Sequence, residues 1–264
     1  MNLFSTEDFT EPLTDRIIIP LRRLLAVKVS KGREMEKEKR VNASTYSLEE
    51  LIGPLNDIEK KYAPKELHVA GQLSVPLPGP RVSVIGSRKA SPEGLEAASN
   101  ISRTLAKHKV TVVSGLAEGI DTAAHMAAIE EGGCTIAVLG TPLDRSYPQK
   151  NKQLQEIIMR HYLLISQFPI GYPIQPKNFV LRNRTMALIS DASIIVEAGD
   201  KSGSLHQGWE ALRLGRPLFV WTTMIHDTSL SWPVKMLAYG ATELTDPKEV
   251  LEALPSGRIL EVAL

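Results

Sequence analysis

The 264-residue chain holds a single cysteine, Cys134. That excludes a disulfide framework and any zinc site built from several thiolates. No excess of either charge is present: 31 Lys and Arg face 30 Asp and Glu, a formal net charge of +1. Nucleic-acid binding through bulk charge is therefore excluded, and any such contact must come from a local patch. No apolar run reaches the roughly 18–20 residues of a membrane span. The opening MNLFSTEDFTEPLTD is acidic where a secretory signal would be basic and then apolar. The expectation is a soluble, cytoplasmic protein with no membrane contact. Neither GxGxxG nor a GxxxxGK run followed by Ser or Thr occurs, which argues against ordinary dinucleotide or P-loop binding. No metal-ligand cluster or activated nucleophile stands out, so no metal and no cofactor are expected. Internal repeats and low-complexity tracts are absent too.

What remains is an ordinary folded composition, 43% hydrophobic and 23% charged, enough for one large α/β domain with a small appendage. Residues 1–50 read as an N-terminal extension. Within it, residues 21–40 carry eight basic and three acidic side chains, a local surplus of five. Two readings fit this stretch: an electrostatic arm for phosphate, or a solvated helix with Glu34–Lys37 and Glu36–Arg40 pairs. Residues 51–80 hold a lead-in strand and turn, LHVAGQL (67–73), then the rigid connector SVPLPGP (74–80).

From Arg81 onward, short β-branched runs alternate with helix-like intervals. The runs are RVSVIG (81–86), VTVVSG (110–115), TIAVLG (135–140), YLLISQF (162–168), ASIIVEAG (192–199) and PLFVW (217–221). The helical intervals are 91–108, 119–131, 150–161, 179–190 and 203–214. Near-continuous apolar strands between helices predict an α/β fold: an extended Rossmann-like, doubly wound, mostly parallel sheet with helices on both faces. The expected core is 81–222, with 223–264 as a C-terminal tail lacking a winged-helix pattern.

In such a fold, ligands sit outside the carboxyl ends of the strands. In the first such loop, Gly86 ends a strand, Ser87, Arg88 and Lys89 follow, and Ser91-Pro92 opens a helix. Helix-start N–H groups with Arg88 and Lys89 would cradle an anion, or Gly86 makes only a tight turn. In SGLAEGID (114–121), Asp121 and His125 share a helix face as a conceivable acid–base pair. The structural alternative is a helix-start charge beside an internal histidine. LGTPLDRSYP (139–148) offers Asp144, Arg145 and Tyr147 for a pocket rim or a sheet brace. QPKNFVLRNRTMALIS (175–190) carries Lys177, Arg182 and Arg184 with no acid before Asp191, and Phe179 among them. Cations interleaved with an aromatic suit single-stranded nucleic acid. On a helix Arg182 and Arg184 point apart, so one of them can instead buttress the sheet. In EAGDKSGSLHQGWEAL (197–212), Ser202, Gly203 and Ser204 offer donors to a phosphate, or a serine caps the helix while Trp209 anchors the core.

Taken together, GSRKAS, SGLAEGIDTAAH, IAVLGTPLDRSYP, LRNRTMALIS and VEAGDKSGSL, in this order, resemble the DNA-processing protein A (DprA/Smf) family. The likeness covers roughly residues 55–222. It implies a Rossmann-like protein that binds single-stranded DNA, forms a homodimer and assists loading of a RecA-type recombinase during uptake and recombination of DNA. It is not an enzyme on this reading. The resemblance assigns Gly86, Ser87 and Arg88 to the phosphate loop. Lys177, Phe179 and the Arg182–Asn183–Arg184 run become the DNA-facing or pocket-supporting segment. Glu118 stands where the family usually carries a basic residue, and His206-Gln207 departs from its usual small-residue helix start. The competing expectation is a nucleoside monophosphate phosphoribohydrolase, whose PGGxGTxxE signature DKSGSLHQGWE does not reproduce.

Overall fold

The computed structural model describes residues 41–255. The basic stretch at 21–40 and the last nine residues, 256–264, lie outside the described residues. The strands are β1 (Ser44–Tyr46), β2 (Leu67–Gly71), β3 (Arg81–Gly86), β4 (Thr111–Ser114), β5 (Thr135–Leu139), β6 (Leu163–Ser166), β7 (Ala192–Glu197), β8 (Leu218–Trp221) and β9 (Thr242–Leu244). They form one nine-stranded sheet in the order β1-β2-β6-β5-β4-β3-β7-β8-β9. Every neighbouring pair from β3 to β9 is parallel. β2 joins β6 antiparallel, and β1 joins β2 in the same sense. The expected mostly parallel, doubly wound sheet is therefore present, mixed by the antiparallel β1 and β2. β1, β2 and β9 lie outside the 81–222 core expected from sequence, yet all three belong to this sheet.

Ten α-helices are described: α1 (Leu48–Ile52), α2 (Asp57–Tyr62), α3 (Pro92–Lys107), α4 (Ile120–Glu130), α5 (Lys152–His161), α6 (Pro176–Ile189), α7 (Ser204–Arg213), α8 (Thr222–Ile225), α9 (Trp232–Ala238) and α10 (Glu249–Glu252). None of them is long and apolar enough to cross a membrane. Strand side chains alternate between two cores, as the pleat demands. Ile85, Val113, Val138 and Ile195 pack with the Met186–Ile189 end of α6, Ala211 of α7 and Met236 of α9. Val82, Val84, Val112 and Ile194 pack on the other face with Ile101 and Leu105 of α3, and with Ile120 and Ala124 of α4.

The chain winds from β3 out to β6, then returns to lay β7 on the other side of β3. The switch point of the sheet is thus the β3–β7 boundary, where α/β folds open a crevice. Below it, the fully buried Arg81 fastens the proline-rich connector. Its guanidinium donates to the carbonyls of Ile189 (2.6 Å) and Leu77 (3.1 Å), and its Nη2 lies 3.5 Å from Asp191.

Trp209 does not anchor the core. It is 36% exposed and meets Tyr239 edge-on, with ring centroids 5.4 Å apart. Leu205, Gly208 and Ala211 take the inward positions of α7, and Trp209, one residue past Gly208, turns outward by the 3.6-residue period.

Candidate functional site

Close backbone packing brings the loops after β3, β4 and β7 together. A Cβ at Gly86 would lie 2.6 Å from Ile120 Cγ1 and 2.7 Å from the Glu197 carbonyl oxygen. Only glycine admits that approach. Gly119 has φ of +75°, and the next amide, Ile120 N–H, donates to the Ser87 carbonyl at 3.2 Å.

Ser91 and Pro92 open α3 as expected, with Ser91 Oγ accepting from Gly94 N–H at 3.0 Å. At that helix start the chain supplies a negative group of its own. Ser91 N–H donates to both Glu197 carboxylate oxygens at 3.1 Å, and Ser91 Oγ–H donates to Oε2 at 2.6 Å. A helix N-terminus attracts a negative group, and Glu197 at the end of β7 supplies one. Ser87 N–H is also taken, by the Glu197 carbonyl at 2.7 Å, and Lys89 N–H by Ser87 Oγ at 3.1 Å. Neither the Arg88 nor the Ala90 N–H donates to an acceptor among the described residues. The Arg88 and Lys89 side chains remain exposed.

Arg88 reaches across the carboxyl ends of the strands. Its guanidinium carbon lies 5.6 Å from the centroid of the Phe179 ring, within cation–π range. Tyr147 flanks the same ring at 5.2 Å, tilted by 49°. These three surround a cavity of about 50 Å³ shared with Gly115, Ala117, Glu118, Pro148 and Arg182. Tyr147, half of whose surface is open, forms a rim as one reading of its loop required. Glu118, the acidic departure, is paired with Lys150 Nζ, so its charge is offset locally.

Arg182 is the buttress. It is 5% exposed, donates from Nη1 to the Val138 carbonyl at 3.1 Å and faces Asp121 Oδ2 at 3.9 Å. Gly115 leaves it room, since a Cβ there would fall 1.3 Å from Nη1. Burial pulls the guanidinium below its ordinary range; Asp121 opposes this, and Arg88 adds to it. Burial pushes the Asp121 carboxyl up, against the pull of Arg182. His125 is fully buried, and desolvation followed by the Arg182 charge lowers its pKa to about 3. Its Nδ1 meets Thr135 Oγ1 at 2.7 Å. Asp121 and His125 therefore form an internal set with Arg182, closed to a substrate.

The other expected residues lie elsewhere. Arg184 pairs with Glu210 at 3.3 Å and stands over Tyr62 at 5.3 Å, away from the Arg88 rim. Asn183 Nδ2 donates to the Gly203 carbonyl at 2.9 Å. Neither Ser202 nor Ser204 caps α7: the N-cap is Gly203, and the two hydroxyls bond each other at 2.6 Å. Lys177 is exposed on the first turn of α6. Asp144 and Arg145 face each other at 4.0 Å on the surface. Sequence reasoning missed the Glu197 clamp and the seat of Arg182 on Gly115. The signal for the first was an acid ending an otherwise apolar strand.

A family model for DNA recombination-mediator protein A matches residues 45–255. This chain belongs to that family. The DNA processing protein DprA of Streptococcus pneumoniae is 38% identical over 196 residues, covering 74% of this chain and 69% of that relative. Protein Smf of Escherichia coli is 36% identical over 195 residues, 74% of this chain but 52% of its own length. The X-ray structure of the S. pneumoniae protein superposes with a TM-score of 0.70 at 28% identity, covering 93% of this chain and 95% of that one. DNA processing protein A from Helicobacter pylori, whose structure concerns its single-stranded DNA binding mode, gives 0.66 at 26% identity over 81% of this chain and 95% of that one. The match of the recombination-mediator protein A family includes β2, β9 and all but the first residue of β1, so the flanking strands fall within the family match as the central ones do.

Proposed function

We propose that this chain binds single-stranded DNA across the rim of Arg88, Phe179 and Tyr147. On this reading it is a non-catalytic accessory protein that acts in the cytoplasm as a homodimer and helps load a RecA-type recombinase during DNA uptake and recombination. One observation carries the proposal: a solvent-facing cation stacked on a ring, beside a second ring, where the parallel strands end. Arginine supplies charge for a phosphate, and the rings supply faces on which any base stacks. Lys89 and Lys177, both exposed, add cations on the flanking loop and helix start. The single-stranded DNA binding of the H. pylori relative supports the same reading.

The nucleotide-hydrolase alternative finds less support. Small-molecule sites enclose ~300–1,000 Å³, whereas the cavity at this rim is about 50 Å³. The switch-point crevice is spanned by the Glu197–Ser91 hydrogen bonds.

The test is a pair of variants titrated with oligo-dT over a range of salt. Arg88→Ala should weaken binding and flatten the log–log salt slope by about 0.7, the loss of one phosphate contact on a single strand. Phe179→Ala should cost roughly 1–3 kcal/mol per stacked base and leave the slope unchanged. A folded Arg88→Ala protein with wild-type affinity and slope contradicts the proposal.

A further inference from the structure

We infer that Glu197 is a positioning residue for Arg88, clamping both ends of the loop that carries it. The inference rests on the reading of the Arg88–Phe179 rim as the strand contact. At one end, the Ser87 N–H donates to the Glu197 carbonyl at 2.7 Å. At the other, the Glu197 carboxylate accepts from Ser91 N–H at 3.1 Å and from Ser91 Oγ–H at 2.6 Å. Only Arg88, Lys89 and Ala90 lie between the two anchors. The span has one internal brace, from Lys89 N–H to Ser87 Oγ at 3.1 Å. Arg88 therefore leaves from a base fixed on both sides, which spares a phosphate the cost of ordering the loop.

The clamp and plain electrostatics make opposite forecasts. Glu197 puts a negative charge beside a loop meant for phosphate. If charge alone mattered, deleting it would tighten binding. If the clamp matters, deleting it loosens Arg88 and weakens binding.

Two variants separate the forecasts from a simple folding defect. Glu197→Gln removes the charge and keeps an acceptor for Ser91 N–H. Gly94→Ala keeps the charge and breaks the clamp, because a Cβ at Gly94 would lie 2.2 Å from Glu197 Oε2. Alanine is also the better helix former, so α3 gains propensity from that change.

The experiment titrates oligo-dT against wild type, Glu197→Ala, Glu197→Gln and Gly94→Ala at two salt concentrations. Thermal melts and hydrogen exchange at the Ser91 amide run alongside. Glu197→Ala and Gly94→Ala should each bind on the order of tenfold more weakly, with faster Ser91 exchange. Glu197→Gln should stay within about threefold of wild type, a difference under 1 kcal/mol at roughly 1.4 kcal/mol per tenfold. Folded Glu197→Ala or Gly94→Ala protein that binds as tightly as wild type, or more tightly, overturns the clamp while the strand reading stands. Ser91 exchange that is no slower in wild type than in Glu197→Ala overturns it as well. Wild-type protein without salt-dependent oligo-dT binding overturns the strand reading, and the clamp inference with it.

Discussion

At the scale of single residues, the site divides into side chains that face solvent and side chains that hold them up. The exposed Arg88 and Tyr147, with the half-buried Phe179 between them, are of the first kind; Arg182, Asp121 and His125 are of the second. The second set makes a prediction of its own. His125 is buried neutral, its pKa pulled from 6.5 to about 3 by desolvation and then by Arg182. A depressed histidine contributes stability that is complete above pH 6.5 and lost as pH falls toward 3. Asp121 works the other way, because its raised carboxyl takes up a proton more readily in the fold than in the unfolded chain. Denaturant unfolding of wild type and His125→Gln isolates the histidine. The stability difference between them should be flat above about pH 6.5. Below it, wild type should lose up to about 1.4 kcal/mol per pH unit relative to the variant. Parallel curves through the acid range would mean that the imidazole is not held neutral. The internal histidine was one of two readings open in the sequence, since four-residue spacing shows that Asp121 and His125 share a face and not which way that face points.

At the scale of elements, long signals were legible and short ones were not. Six strands announced themselves as β-branched runs because each is five or so residues of buried, parallel sheet, apolar on both sides. β1 and β9 are three residues each, too short for a period to show. α1 and α2 escaped notice although their capping boxes stand in the sequence. Ser47 and Glu50 bond reciprocally, as do Asn56 and Glu59. In the cation–aromatic segment of α6 the spacing sends Arg182 and Arg184 to different sides, and only packing shows that Arg182 is the internal arginine and Arg184 the partner of Glu210. At the junction of β3, α4 and β7 the elements meet closely. Gly86→Ala would drive a methyl into Ile120 and into the Glu197 carbonyl. Overpacking of that kind costs about 1–3 kcal/mol, or a fall in Tm of about 2–4 °C per kcal/mol for a chain of this size. A melt showing no loss would mean that the loops are not locked as described.

At the scale of the whole molecule, the net charge of +1 means that the proposed DNA binding rests on the local rim. On the proposed reading, the protein meets a flexible strand through one cation-and-ring edge rather than by laying a helix in the major groove. The most direct test is a competition between oligo-dT and blunt duplex of equal length, followed across salt. The expected result is tighter binding to the single strand at every salt concentration, with affinity falling as salt rises because phosphate contacts release counterions. Equal or tighter binding to the duplex, or single-strand affinity indifferent to salt, would contradict it.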